Sequence, residues 1–333
     1  MATNVNSAFN EFMRDYVNLA PQRVTLARNS RDAMFNRINE LKDFLPLAKE
    51  YHMQFGSFAR GTKIRPLDDI DLLIGLNGKD FHLEYNGAWD NCRLKLVNTS
   101  SIFKNYCDSV STGYYGYYLY YLNSTKIKNV FKSSLQNLHD CSKAELHSRG
   151  EAITLKFKSY EWNFDIVPAF YASDYYLIPN GYGGWKKTNP KIDRDRIKAI
   201  NSHCNGRALN LIRLAKYWNR RPTMASMPSY MLEAMVLNYC NSRTNFSEYI
   251  DLEFSDFLLY LHNSIFYVVN DPKGIQGNIN SLSVAQKQSI SQKSYSDYTK
   301  SRTAIYSEIN EKNQVKAILL WREIFGGDFP TYG

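Results

Sequence analysis

The chain has 333 residues, of which 44% are apolar, and a formal net charge of +9 at pH 7. The apolar share excludes a disordered chain, and no run approaches the roughly 18 apolar residues of a membrane helix, so we expect no membrane partner. The basic surplus suits polyanionic ligands such as nucleoside triphosphates or nucleic acids. Five scattered cysteines and an N-terminus without a hydrophobic core are typical of a cytoplasmic protein.

The first predicted elements are helices. Apolar residues recur at spacings of three and four over residues 8–19 and again over 22–44, and Pro21 separates the two runs. A small-residue turn, Gly56-Ser57, comes next. The run 69–74, DIDLLI, predicts a strand because branched residues and leucines dominate between turn-forming residues.

This turn and strand carry candidate chemistry. Side chains alternate across a strand, so Asp69 and Asp71 share one face with Leu73, with Cα atoms about 6.5 Å apart. That spacing suits two Mg²⁺ ions roughly 3.5–4 Å apart, since Mg²⁺ prefers hard oxygen ligands. Gly56 allows close backbone approach to a phosphate, and the Ser57 hydroxyl can bind its oxygens. Alone, each motif is usually a turn or a solvated acidic cap; together they favour a metal and phosphate site.

The middle of the chain is less regular. Residues 78–111 fit no clear element except a candidate strand at 94–97, and they look like an insertion. Residues 113–122, GYYGYYLYYL, are rich in tyrosine, and we favour a structural role for them over a base-stacking platform. Ser124 and Thr125 precede a predicted helix that runs from Lys126 to about Cys141.

A third acid follows on a second strand. Residues 152–158 alternate as a strand does, and residues 164–170 predict another, with Pro168 at its end. Asp165 is either an edge residue facing water or, as we favour, a third metal ligand beside Asp69 and Asp71.

Beyond a Gly- and aromatic-rich segment at 171–190, which we expect to be a mobile loop or a crossing between the lobes, the chain is predicted to be helical. The predicted helices cover residues 207–220, a run beginning at Ser229, and residues 251–269, 283–310 and 315–325. Ser229 is the expected N-cap of its helix.

These motifs resemble a known family. Gly56-Ser57, Arg60, Thr62, Pro66 and Asp69-Ile70-Asp71 look like the signature of the DNA-polymerase-β-like nucleotidyltransferase superfamily. Within it, GSFARGT...P..DIDLLI is most similar to the bacterial cGAS/DncV-like nucleotidyltransferases, relatives of the oligoadenylate synthases. The resemblance implies an α+β, bilobal fold: a mixed sheet flanked by helices over residues 1–175, a helical lobe over 176–333, and an active site in the cleft between them.

The resemblance also implies an activity. Such enzymes condense nucleoside triphosphates, here ATP and/or GTP, into a cyclic di- or trinucleotide second messenger and release pyrophosphate, in antiphage (CBASS) signalling. Two Mg²⁺ ions, with Mn²⁺ as a substitute, would be held by Asp69, Asp71 and Asp165, and Asp165 would accept the proton of the attacking hydroxyl. The product would activate a downstream effector, and a regulatory partner or an RNA cue would control the enzyme.

Family motifs in the second half imply further contacts. LAKYWN and PSYMLE imply that Lys216 and Ser229 contact the triphosphate and that Tyr230 stacks on a base, while FGGDFP places Asp328 near a base pocket. The expected nucleotide-binding set is Gly56, Ser57, Arg60, Thr62, Lys216, Ser229, Tyr230 and Asp328. His203-Cys204 stands alone, so no counterpart of the animal DNA sensor's zinc site is expected.

Three alternatives share parts of this pattern. The same catalytic core serves RNA-directed enzymes of the poly(A) or CCA-adding type and oligoadenylate-synthase-like sensors activated by duplex RNA. A pseudo-enzyme that only binds a partner is disfavoured by the intact Gly56-Ser57 turn and the three acids.

Overall fold

The described strands form one mixed β-sheet. The computed structural model of the protein describes residues 2–41, 44–85, 87–113, 116–138, 144–158 and 160–333. The strands in these ranges are β1 Met53–Phe55, β2 Asp69–Leu76, β3 Phe81–Tyr85, β4 Cys92–Leu96, β5 Cys107–Ser111, β6 Tyr118–Leu122, β7 Glu145–Arg149, β8 Ala152–Lys156, β9 Asn163–Ala172, β10 Tyr175–Pro179 and β11 Trp185–Thr188. They run in the order β1-β2-β9-β10-β11-β4-β6-β5, with β3 on β4 and the β7–β8 hairpin on β9.

In chain order, the α-helices of the same described ranges come before, between and after the strands. They are α1 Val5–Phe12, α2 Pro21–Asn39, α3 Gly56–Ala59, α4 Ser124–Gln136, α5 Pro190–His203, α6 Ala208–Arg220, α7 Ser229–Ser242, α8 Ile250–Ser264, α9 Val284–Ile309 and α10 Gln314–Phe325. The expected α+β class, with a mixed sheet and a helical C-terminal part, is therefore confirmed. No described helix is both long and apolar enough to cross a membrane.

Two strands at the centre of the sheet run parallel. β2 pairs with β9 in parallel, whereas β1 on β2 and β8 and β10 on β9 are antiparallel. The predicted alternation along β2 holds: Ile70, Leu72 and Ile74 are fully buried, while Asp69 and Asp71 are half-buried. The hydrophobic face therefore fixes which side of the sheet the two acids occupy.

Pro168 does not end its strand, contrary to the prediction. It pairs with Ile74 of β2, and β9 continues to Ala172. The β8 pairing ends at Ile166, and the β10 pairing begins only at Phe170. Proline lacks an N–H group, and it is tolerated here because this stretch of β9 is paired on one side only.

Two other segments are more ordered than predicted. Residues 78–111 contain β3, β4 and β5, and the expected mobile loop at 171–190 contains β10 and β11. Trp185 of β11 is fully buried, and its Nε1 donates a 2.9 Å hydrogen bond to the backbone oxygen of Leu122. Of the tyrosine-rich run, residues 118–122 form β6, whereas Tyr114 and Tyr115 lie outside the described residues, as does the predicted helix end at Cys141.

Two compact units divide the chain. The sheet unit comprises residues 22–60 and 67–192, and the helical unit comprises residues 1–21, 61–66 and 193–333. This differs from the predicted boundary after residue 175 in three places, the shortest of which is residues 61–66 in the helical unit. α1 belongs to the helical unit because Phe9 packs on Trp321, with ring centroids 4.9 Å apart, and Phe12 packs on Phe325. Residues 176–192 belong to the sheet unit because they include strands β10 and β11.

Candidate active site

The predicted acids meet on neighbouring strands of the sheet unit. Asp71 of β2 and Asp165 of β9 are direct register partners, and Asp69 pairs with Asn163 two residues earlier. Adjacent strands lie about 4.8 Å apart, and register partners point to the same face. The prediction that β9 lies beside β2 with its acid on the same face is confirmed, whereas the metal-binding role of the three acids stays a prediction.

The same face becomes apolar immediately beyond the acids. Leu73, Val167 and Ala169 form a buried cluster with Tyr176 and Ile178 of β10. The carboxylates therefore border a surface of low polarity, where electrostatic interactions are stronger than in bulk water.

Gly56 lies against Asp71 so closely that only glycine fits. A Cβ atom at position 56 would lie 1.7 Å from Asp71 Oδ2, and the backbone has a φ of +74°. The contact follows from the pairing of β1 with β2, in which Phe55, the residue before Gly56, is the register partner of Asp71. The structure thus brings the predicted turn and the predicted acid together.

Ser57 and Arg60 lie in the short turn that follows. Both are half-buried, and α3 is closed by the Arg60 backbone N–H, which donates to the Gly56 oxygen at 3.2 Å. Their predicted contacts with phosphate stay predictions.

The donor set fits Mg²⁺, although it is not a closed cage. Over the described ranges, no three His, Cys, Asp or Glu side chains converge into a ready metal-binding group. Mg²⁺ typically uses one or two carboxylates together with waters and substrate phosphates. The carboxylates of Asp71 and Asp165 are register partners, and Gly56 places no side chain against Asp71. This arrangement meets the requirement of Mg²⁺, so the residues present fit the ion.

Asp165 has a partner that the sequence analysis missed. Thr154 Oγ1 of β8 donates a 2.6 Å hydrogen bond to Asp165 Oδ1. The alternating pattern of residues 152–158 predicted the strand, but only the register of β8 on β9 shows which side chain faces the acid.

Lys216 of the helical unit is a buried residue with a counter-charge. Lys216 and Glu233 form an ion pair between α6 and α7, with side chains 7% and 3% exposed. Lys216 Nζ also lies 3.4 Å from Oγ1 of Thr62, which is fully buried. The structure thus brings two predicted nucleotide-binding residues, Thr62 and Lys216, into direct contact, and it adds Glu233, which sequence reasoning did not place in the site, as the counter-ion of Lys216.

The start of α7 differs from the prediction. Helix α7 begins at Ser229, and its N-cap is Pro228, without a side-chain capping bond. The prediction that Ser229 is the N-cap is therefore wrong, since Ser229 already has a helical position; its side chain is exposed. Its contact with a triphosphate stays a prediction.

Tyr230 takes part in a buried polar network. Its hydroxyl lies 2.7 Å from Asp193 Oδ1 and 2.9 Å from Asp271 Oδ1, and Lys273 Nζ donates to it at 2.7 Å. Burial, and then the Asp193 carboxylate, raise the pKa of Tyr230 well above its usual value. Sequence reasoning missed this network, and base stacking by Tyr230 stays a prediction.

Asp328 ties the C-terminal turn to α6. The hydroxyl of the buried Tyr217 donates a 2.5 Å hydrogen bond to Asp328 Oδ2, and burial together with this carboxylate raises the pKa of Tyr217. Asp328 itself is exposed. Its proposed position near a base pocket is not tested by this contact.

Known proteins resemble the chain in sequence and in structure. The model of the Second Messenger Oligonucleotide or Dinucleotide Synthetase domain matches residues 3–114. A probable cyclic nucleotide synthase of Bacillus cereus (strain VD146) is 35% identical over 347 residues, which cover 100% of this chain and 99% of that protein. The Cyclic AMP-AMP-AMP synthase of Acinetobacter sp. (strain ATCC 27244 / 9458) is 26% identical over 58% of this chain and 57% of its own length.

Solved structures of CdnC from E. coli MS115-1 have the same fold. One is of CdnC with ATP, at a TM-score of 0.69 and 17% identity, and the other is of its complex with HORMA-deltaN, at 0.67 and 19%. Both cover 98% of this chain and 98% of the solved chain.

Proposed function

This chain belongs to the cGAS/DncV-like nucleotidyltransferases, and on that premise we propose that it joins nucleoside triphosphates into a cyclic di- or trinucleotide and releases pyrophosphate. The broad class, a cyclic nucleotide synthase, is that of its relatives. Metal dependence, the choice of substrate and a signalling role in antiphage defence are the finer parts of the proposal. The observation that carries it is the register pairing of Asp71 with Asp165, with Gly56 against Asp71.

The reaction requires a proton acceptor and compensation of negative charge. A ribose hydroxyl oxygen attacks the α-phosphorus of a second nucleotide, and the bond from that phosphorus to the pyrophosphate oxygen breaks. The hydroxyl proton goes to a base, and we assign this role to Asp165, directly or through water. Mg²⁺, or Mn²⁺ in its place, would be held by Asp69, Asp71 and Asp165 and would supply neutralisation of the triphosphate charge.

The remaining motif residues are proposed to hold the nucleotide. Gly56 keeps the turn beside Asp71 free of a side chain, and Ser57 supplies a hydroxyl next to it. In the helical unit, Lys216 is proposed to contact the triphosphate, with Glu233 and Thr62 fixing its ammonium group. A charge-assisted contact of this kind is stronger than one between neutral groups.

ATP is the proposed first substrate. Two relatives named Cyclic AMP-AMP-AMP synthase and a solved CdnC structure with ATP support this choice. The complex of CdnC with HORMA-deltaN supports a proposed regulatory partner protein. A downstream effector that binds the cyclic product completes the proposed signalling role.

One assay tests the proposal. Purified protein is incubated with all four nucleoside triphosphates, with Mg²⁺ or with EDTA, and products are identified by mass spectrometry after phosphatase treatment. We expect small phosphatase-resistant products that need the metal, and their loss in Asp71→Asn and Asp165→Asn. Asp90→Asn, an exposed acid outside the site, serves as the matched control. Products formed only on added RNA ends, or only after activation by duplex RNA, would contradict the proposal in favour of the two RNA-dependent alternatives.

A further inference from the structure

A threonine on the neighbouring strand is hydrogen-bonded to Asp165. Thr154 and Asp165 are Cα register partners of β8 and β9, and Thr154 Oγ1 donates to Asp165 Oδ1 at 2.6 Å. We propose that Thr154 is a positioning residue, which holds the Asp165 carboxylate in the rotation needed to bind a divalent cation and to accept a proton. The inference rests on the proposed function, because it gives Thr154 its role through Asp165.

Thr154 extends the row of acids by one strand. The registers place Asp71, Asp165 and Thr154 side by side across β2, β9 and β8. Register partners point to the same face of a sheet, so the hydroxyl meets the carboxylate without distortion of either strand. On the other face of β8, Ile153 and Leu155 are fully buried. A one-residue slip of β8 would expose these two side chains, so the core fixes the register that delivers the hydroxyl.

The chemistry of the contact suits a positioning role. A hydrogen bond from a hydroxyl to a carboxylate is charge-assisted and short, and it resists rotation of the carboxylate about the Cβ–Cγ bond. Threonine is branched at Cβ and therefore stiff at χ1, so the strand backbone fixes where its hydroxyl points. Hydrogen-bond partners behind a metal-binding carboxylate commonly set its direction and its affinity for the ion.

The hydroxyl can be removed with little change of shape. Thr154→Val keeps the branched side chain and removes the donor, Thr154→Ser restores the donor, and Asp165→Asn removes the acid itself. Thr299→Val is the matched control, because Thr299 is exposed, lies in the helical unit and donates its hydroxyl to the Tyr295 backbone oxygen of its own helix.

Direct binding of Mn²⁺ is the readout, measured by electron paramagnetic resonance on the full chain, with the metal alone and with α,β-methylene-ATP. We expect Thr154→Val to weaken Mn²⁺ binding about tenfold or more, the effect usual for such partners. Thr154→Ser should bind close to the parent, and Thr299→Val should equal it. In turnover assays, Thr154→Val should lower kcat and leave the KM for ATP nearly unchanged, because Thr154 acts through Asp165.

The outcomes separate this inference from the proposed function. Loss of Mn²⁺ binding in Asp165→Asn together with unchanged binding in Thr154→Val would overturn the positioning role and leave the metal assignment standing. Unchanged binding in Asp165→Asn would overturn both. Urea unfolding of each variant checks the fold, and Thr154→Ala replaces Thr154→Val in the same comparison if the valine variant does not fold.

Discussion

The ion pair of Lys216 and Glu233 predicts a large loss of stability from a small change. Glu233→Gln keeps the shape of the side chain but removes the negative charge that pairs with the buried Lys216 ammonium group. The two side chains are 7% and 3% exposed, so water cannot take over the role of the carboxylate. Breaking one side of a buried pair costs about 3–5 kcal/mol, and we expect the free energy of unfolding of Glu233→Gln to fall by that amount.

The magnitude can be checked by urea unfolding with two comparisons. In the double variant Lys216→Met with Glu233→Leu, no charge is buried, and hydrophobic replacements of a buried pair are often neutral or stabilising, so stability should return to near the parent value. Its synthase activity should stay lost, because Lys216 is the proposed triphosphate contact. Glu323→Gln, which breaks the surface pair with Lys300, should cost about 1 kcal/mol or less.

Two results would refute this reasoning. A free energy of unfolding of Glu233→Gln within about 1 kcal/mol of the parent value would mean that the Glu233 carboxylate is not needed to stabilise the buried Lys216 ammonium group. A double variant as unstable as Glu233→Gln would mean that the loss comes from packing of α6 on α7 and not from an uncompensated charge.

Three further predictions concern single positions. Gly56→Ala should lower kcat about 100-fold because the new Cβ would lie 1.7 Å from the Asp71 carboxylate. Gly116→Ala is the control, because Gly116 has the same φ of +74° and a Cβ there would meet no atom within 4 Å, so it should keep the activity. Pyrophosphate release measures both. Tyr230→Phe should lower the free energy of unfolding in urea by about 1–3 kcal/mol because Asp193 loses a hydrogen bond. It should keep the KM for ATP, because the proposed base stacking uses only the ring. Burial, and then Glu308, raise the pKa of Asp251 from 3.8 to about 6, so the folded chain binds this proton more tightly than the unfolded chain. Stability should therefore fall by about 3 kcal/mol as the pH rises from about 3 to about 7, and Asp251→Asn should remove that dependence in unfolding curves measured across this range.

The local pattern along a strand was predictable, whereas the pairing between strands was not. The alternation of Asp69, Ile70, Asp71 and Leu72 follows from the two-residue period of a strand, and the structure confirms it. Nothing within β2 specifies that Asp71 faces Asp165. Their adjacency was inferred from the apolar neighbours of Asp165 and from the family resemblance, and their register depends on the packing of both faces. Thr154 was missed for the same reason.

Short strands next to glycines were also hidden in the sequence. Residues 171–190 contain many turn-forming residues, so the pattern predicted a loop. The segment nevertheless forms strands, of which β11 is only four residues long and is held by the buried Trp185. Pairing partners distant in the chain stabilise such strands, and local propensity does not report them.

The helical unit shows why a motif position does not by itself reveal a ligand contact. The family motif implied a triphosphate contact for Lys216, and the structure buries this lysine against Glu233 of the next helix. Thr62 and Tyr230, also predicted to contact nucleotide, have partners within the unit as well. Each of these contacts would keep the residue in place even if no nucleotide bound there. Ser229, in contrast, is exposed, so burial within the unit does not account for the residue at this position. A contact of Lys216 with triphosphate therefore requires the phosphate to share the ammonium group with Glu233, so the binding energy that Lys216 contributes should be smaller than that of an uncompensated lysine.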